Sequence, residues 1–262
     1  VLLDSGVSIR SFGRIMAEGT GSEPIVFTTA KKGSVWGSLA LQGKRTSGSR
    51  FTHVQFSHGS RARFGAVRYP GMLTIHNAKN IRISKCEFSN NLIGDDCVRV
   101  AHSQVSVENC HFENTNSDAI DYDYSTGLII HNKFEDVGND AIDLMTSSPT
   151  IVGNTIERCG DKGISVGENS DPIIYSNLIF RAKIGIQSKD ESDPLILNNE
   201  IVKCEIGIHA YKKNWRYDEG GRGHVYNTKF VSNRTPIKVE ARSTLTVDSS
   251  VFDQLDIESP DM

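Results

Sequence analysis

Two short phrases hold most of the side chains that could do chemistry: SDAIDYDYS at residues 117–125 and NDAIDLMTS at 139–147. Each sets two aspartates three residues apart, Asp118 with Asp121 and Asp140 with Asp143, and Asp123 stands beside the first pair. Oxygen ligands in such number suit a hard cation such as Ca²⁺. Paired carboxyls can also share a proton, as the paired acids of glycoside hydrolases do. The third use is structural, because an aspartate before a strand can cap a turn by accepting backbone N–H groups. Lys162 follows Asp140 by the interval that separates Asp140 from Asp118, so cation and carboxylates are expected side by side. Charge concentrates here. From Glu87 to Asp143 twelve carboxylates stand against only Arg99 and Lys133, although the whole chain has a net charge of −3.

The elements that position these residues show up as a repeat. DCVRVAH (96–102), DAIDYDY (118–124), DAIDLMT (140–146), KGISVGE (162–168), IGIQSKD (184–190) and IGIHAYK (206–212) follow at a constant step of 22. Their third position is Val98, Ile120, Ile142, Ile164, Ile186 and Ile208, always branched and apolar. The fifth position is mostly apolar, and the residue between is polar: Arg99, Asp121, Asp143, Ser165, Gln187 and His209. Such alternation predicts a half-buried strand with the branched residues inward. Asn132, Asn154, Asn177 and Asn199 recur at nearly the same spacing and predict a side-chain ladder at a tight turn. Five-residue strands every 22 residues leave no room for crossover helices. The prediction is an all-β chain: a single-stranded right-handed parallel β-helix, a solenoid of about 22 residues per coil, with neighbouring coils about 4.8 Å apart.

One domain is expected over 1–262, with irregular coils over 1–80, regular ones over 81–212, an excursion at 212–224, and C-terminal coils and a tail over 225–262. The tail DQLDIESPDM reads as an end, not another coil. No apolar run is long enough for a transmembrane helix, so membrane insertion is not expected. The near-neutral net charge gives no general nucleic-acid footprint. No signal-peptide pattern opens the chain at Val1, as expected of a mature or trimmed polypeptide. Five cysteines, an odd number without CxxC spacing, predict buried small hydrophobes and neither a zinc site nor a full disulfide framework.

The 22-residue coils, with phrases such as GDKGISVGENS and IGIQSKDES, resemble the right-handed β-helix proteins of the pectate-lyase-like superfamily, in the group with NosD-type repeats. That resemblance spans roughly residues 14 to 255. It implies lyases, hydrolases and epimerases of polysaccharides, together with tailspikes and adhesins, and the fold does not choose among them. The carboxylate set is similar to the calcium cluster of one pectate-lyase family, with Asp118, Asp121, Asp140 and Asp143 as matching ligands. SDAID and NDAID each lack that family's doubled aspartate.

Like carboxylates one coil apart raise each other's pKa unless something compensates. For Asp96, Asp118 and Asp140, turn capping is one compensation; for the mid-strand pair Asp121 and Asp143 a site is the expectation. Beside a divalent cation a lysine ammonium can lose its proton, which would make Lys162, with Asp143, the catalytic group that abstracts the proton α to a uronate carboxylate. A plain salt bridge to Asp140 or Asp161 is its other reading. Arg99, Lys189, His209 and Tyr211 are expected to contact an anionic sugar, with Glu168 near them and the aromatics of KKNWRYDEGGRGH available to stack on a ring. The function expected first is Ca²⁺-assisted β-elimination of an acidic polysaccharide by a secreted or cell-surface bacterial enzyme. The alternatives are a non-catalytic glycan-binding or structural module of a bacterial surface or phage tail protein, and an inverting glycosidase using Asp95 or Asp96 with Asp118. DPHD is absent, GDDCVRV is followed by no GHG or RIK, and GxSxG, Walker and HExxH phrases are missing.

Overall fold

The computed structural model describes residues 1–253. Parallel strands wind into a β-solenoid whose three sheets contain eleven, ten and ten strands, each strand pairing with its copy one coil away. No helix longer than the 3₁₀ turn Lys44–Thr46 occurs among the described residues. None is therefore long and apolar enough to cross a membrane.

The expected register is present. In the sheet that carries the aspartates, Ile120 pairs with Ile142 and Ile142 with Ile164, and the same column runs back through Val98 to Leu73. These inward branched residues are fully buried. A second inward column stacks Phe27, Phe56, Phe88, Phe112 and Phe134 at centroid separations near 5 Å: 5.2, 4.9, 4.8 and 4.9 Å. Identical rings at the strand spacing form offset stacks, which add to the burial energy. All five cysteines are free and buried.

The asparagine ladder closes one corner. Asn132 donates both its backbone N–H (2.9 Å) and its Nδ2 (3.0 Å) to Asn154 Oδ1, and Asn154 and Asn177 repeat this pattern one coil further on. The left-handed backbone falls on the residue before each ladder asparagine: His131, Gly153, Ser176 and Asn198. The ladder residues therefore supply hydrogen bonds while their neighbours take the positive φ.

Three features depart from the regular coil. The segment Lys212 to Gly221 leaves the scaffold and strand structure resumes at Arg222–Tyr226, so Ile208 pairs with Ile237 across a longer loop. An antiparallel hairpin, Ala62–Phe64 with Val67–Tyr69, interrupts the early coils. The tail lies outside the described residues from 254 onward.

Candidate functional site

The polar column of the aspartate sheet reads Thr74, Arg99, Asp121, Asp143, Ser165, Gln187, His209 and Lys238 in successive coils. It points away from the core, yet Asp121, Ser165, Gln187 and His209 are all buried. Neighbouring long side chains cover them: Lys189 Nζ donates to Ser165 Oγ at 3.3 Å, and Tyr211 Oη donates to Gln187 Oε1 at 3.1 Å.

The turn column shows a rule and its exception. Asp118 Oδ1 accepts the Asp140 backbone N–H at 2.9 Å and Asn139 Nδ2 at 2.7 Å. Asp140 Oδ1 accepts the Lys162 N–H at 3.0 Å. Each aspartate thus caps the turn one coil on. By the same rule Asp96 would receive the Asp118 N–H, but that donor goes to the Asp95 carbonyl at 3.0 Å. Asp96 is left with no accessible surface and no hydrogen-bond partner on either carboxylate oxygen. Burial pushes its pKa well up, the Arg99 charge opposes this, and the charge of Asp118 adds to it.

Around Asp96 the charges interlock. Arg99 forms ion pairs with Asp121 and Asp123, and its Nη1 lies 3.8 Å from Asp96 Oδ2, in ion-pair range but beyond a hydrogen bond. One oxygen from each of Asp96, Asp118 and Asp121 falls within 4.8 Å of the other two, and all three residues are buried. One coil further, Asp143 Oδ1 is also buried without a partner. Burial lifts the Asp118 carboxyl to about 6 against the hydrogen bond from Asp140, and it lifts Asp140 to about 7 against the pull of the Lys162 charge.

Lys162 pairs with Asp161, with Asp140 Oδ1 3.6 Å away. Burial alone would lower its pKa, but the charges of Asp140 and Asp161 outweigh that and hold it above the ordinary lysine value. The lysine is therefore an ammonium as placed. Lys189, His209 and Tyr211 gather two to three coils from Asp143, with His209 Nε2 at 3.0 Å from Glu240 Oε1 and its ring stacked on Tyr211 at 4.5 Å. Burial lowers the His209 pKa and raises that of Glu168. Trp215, on the excursion, is 83% exposed.

Of the four aspartates expected as metal ligands, Asp118 and Asp121 sit in the converging triad. Asp140 spends one oxygen on a turn, and Asp143 stands one coil away. The third member, Asp96, differs from its column mates only through the stolen N–H, which the residue pattern does not reveal. The arginine-bearing hairpin was likewise not anticipated, although RARFGAVRY, two short alternating runs about Gly65, carries a hairpin signal.

Comparison with curated proteins finds no match. Among solved structures the chain is similar to an alginate lyase from Paenibacillus sp. str. FPU-7, with 13% identity, TM-score 0.55, and coverage of 97% of this chain and 90% of that one. It is similar to the catalytic unit of a thermostable GH87 α-1,3-glucanase from Streptomyces thermodiastaticus strain HF3-3, with 10% identity, TM-score 0.55, and coverage of 95% and 62%. A GH136 lacto-N-biosidase from Eubacterium ramulus aligns at 11% identity, TM-score 0.56, and coverage of 97% and 62%. This chain therefore spans about three fifths of the length of the last two. At such identities the likeness is one of fold. The family profile described as "Right handed beta helix region" matches residues 96–252, more than half of the chain and all of the aspartate coils, and the chain belongs to that right-handed β-helix family.

Proposed function

We propose that this protein is a secreted enzyme that cleaves an acidic, uronate-containing polysaccharide by β-elimination at the aspartate coils. The carrying observation is the Asp96 carboxylate, buried without a donor and converging with Asp118 and Asp121. A fully buried carboxylate without a partner costs several kcal/mol if ionised, and three converging oxygens are what a hard divalent cation offsets. Asp96, Asp118 and Asp121 would hold Ca²⁺, which when bound neutralises the uronate carboxylate and acidifies the proton α to it.

The rest follows from the chain's own groups. Asp143, with an unpartnered oxygen, takes the α proton. Lys162, kept charged by Asp140 and Asp161, gives a proton to the departing glycosidic oxygen, while the electron pair of the broken C–H bond becomes the ring double bond and the C–O bond opens. The names of the fold relatives, two glycoside hydrolases and a lyase, agree with a glycan as substrate.

A second reading, inverting hydrolysis, is favoured by Arg99. Its guanidinium already neutralises Asp121 and Asp123, which leaves Asp96 and Asp118 as the working pair, the protonated carboxyl giving its proton to the departing glycosidic oxygen and the ionised one taking a proton from the attacking water. Incubation with polyuronates, with calcium or with EDTA, separates the two. Ultraviolet absorbance from an unsaturated product that disappears with EDTA, and falls about a hundredfold or more in Asp143→Asn and Lys162→Ala, supports elimination. New reducing ends without that absorbance support hydrolysis. Tight glycan binding with neither product returns the protein to a binding module.

A further inference from the structure

Charge along the solenoid is polarised in a way its net value conceals. Residues 1–85 carry thirteen lysines and arginines against Asp4, Glu18 and Glu23, directly before the acidic block of Glu87 to Asp143. The junction is built, not diffuse. At the base of the hairpin Tyr69 is fully buried, donates its hydroxyl to Gln42 Oε1 at 2.7 Å, and stacks on His76 at 5.0 Å with Phe64 set edge-on at 5.5 Å. That anchor fixes the exposed arginines above it. Arg61, Arg63 and Arg68 line a cleft of about 540 Å³ with Pro70 and Asp95, and among the described residues none of the three is in an ion pair. Arg68, Pro70 and Asp95 also wall an adjoining cleft of about 430 Å³ that continues to Arg99. Arg99 holds Asp121, so the basic cleft opens onto the aspartate cluster.

An anionic polymer brought to that cluster meets like charges, and the attraction that seats it must come from nearby. Guanidinium groups outside ion pairs, planar and bidentate, are the usual answer to carboxylate and sulfate oxygens, and here, among the described residues, only the Arg63 Nε is engaged, by the Gly65 carbonyl at 2.9 Å. Double-stranded nucleic acid, with one charge per about 1.7 Å of axis, would lay a dense row of phosphates over the aspartates. An acidic glycan spaces its charges more widely and can put one in the cleft and a neutral linkage over the carboxylates.

We infer that this cleft is an anion subsite, in which Arg61, Arg63 and Arg68 bind a carboxylate or sulfate of an acidic glycan that runs on toward Asp96 and Asp121. The inference rests on the reading of the aspartate face as glycan-cleaving. The test is affinity electrophoresis of the full chain carrying Asp143→Asn, with and without R61A/R63A/R68A, in gels containing a polyuronate, a sulfated glycan or a neutral glucan. Loss of three exposed charge contacts is expected to weaken binding of an acidic glycan about tenfold, with no change on the neutral one. The acidic gel showing the larger loss identifies the group bound. A control pair on the same basic coils, K31A/K32A, is expected to bind as the parent. Undiminished binding by the triple variant, an equal loss in the control pair, or tighter binding of a single-stranded oligonucleotide than of the acidic glycan overturns the subsite. If no glycan is ever cleaved but the arginine-dependent binding persists, the subsite stands and only the cleavage reading falls.

Discussion

Asp96→Asn separates a structural aspartate from a ligand. The side chain is fully buried and neither carboxylate oxygen has a donor, so without a cation the group is held neutral and the amide is close to an isostere. In EDTA the variant should differ from the parent by no more than about 1 kcal/mol. Calcium at a hundred times its Kd stabilises the parent by about 2.7 kcal/mol, which at roughly 2–4 °C per kcal/mol for a chain of this size raises Tm by roughly 5–10 °C. Removing one of three carboxylates is expected to weaken the cation about a hundredfold. The same calcium concentration then sits near the variant's Kd and adds only about 0.4 kcal/mol, a shift of roughly 1–2 °C. Differential scanning calorimetry in EDTA and over a calcium titration, with matched ionic strength, reads both quantities. A full calcium shift retained in the variant, or no shift in the parent, refutes the ligand role. A variant several kcal/mol less stable in EDTA would show instead that Asp96 is a charged structural partner of Arg99.

Three further outcomes test the scaffold and its pH response. Asn154→Ala removes the acceptor of the Asn132 N–H and of one Asn132 amide hydrogen, whose partner keeps the Val107 carbonyl, and the amide donor to the Ile129 carbonyl, all buried; at about 1–2 kcal/mol for each bond lost, it should cost about 3–6 kcal/mol in urea unfolding, and a loss under about 1 kcal/mol would show the ladder to be decorative. Gly127→Ala should cost about 3 kcal/mol or more, because φ is +140° and a methyl group would sit 1.8 Å from the Val105 carbonyl oxygen, whereas Gly33→Ala, also at positive φ but in open space, should cost about 1 kcal/mol. His76 has its pKa lowered to about 4, by burial first and then by the Arg99 and His102 charges. Because the folded value lies below the unfolded one, its stabilisation is complete above about pH 6.5 and is lost as pH falls toward 4, an effect of order 2 kcal/mol after allowance for partial exposure. Melting temperatures at pH 7 and pH 4.5 should therefore converge less steeply for the parent than for His76→Gln, whose acid loss should be smaller; equal losses in the two proteins would remove His76 as the cause.

The fold was readable because a solenoid writes its geometry along one dimension. A branched residue at the third position of each of six phrases 22 residues apart requires an inward column, and Ile120 on Ile142 on Ile164 is that column. The ladder asparagines were legible for the same reason, since a hydrogen bond made to the next coil recurs at the coil period. Features that occur once were not legible. The hairpin at 62–69 has no second copy, and the coil step there, Leu41 to Ile75, is stretched beyond the period that revealed the rest. Burial of Ser165 and Gln187 was missed too, because alternation says only that they point outward and not that Lys189 and Tyr211 lie over them.

The aspartates divide along the same line. A repeated residue has first to serve the repeat, and Asp118 and Asp140 do so by each giving an oxygen to a backbone N–H one coil on. Asp96 occupies the same column and pairs in register with Asp118, yet the Asp95 carbonyl takes the N–H it should receive. The scaffold gains no hydrogen bond from a carboxylate there; a serine or asparagine at that depth would cost less to bury. A buried carboxyl that breaks the rule of its own column, with Asp121 and Arg99 drawn in beside it, is the local conflict expected where sequence serves something other than folding. The cation of the proposed elimination should therefore sit on the coil of Asp96 and Arg99 and the one that follows it, with Asp143 and Lys162, which move the protons, on the two coils after that.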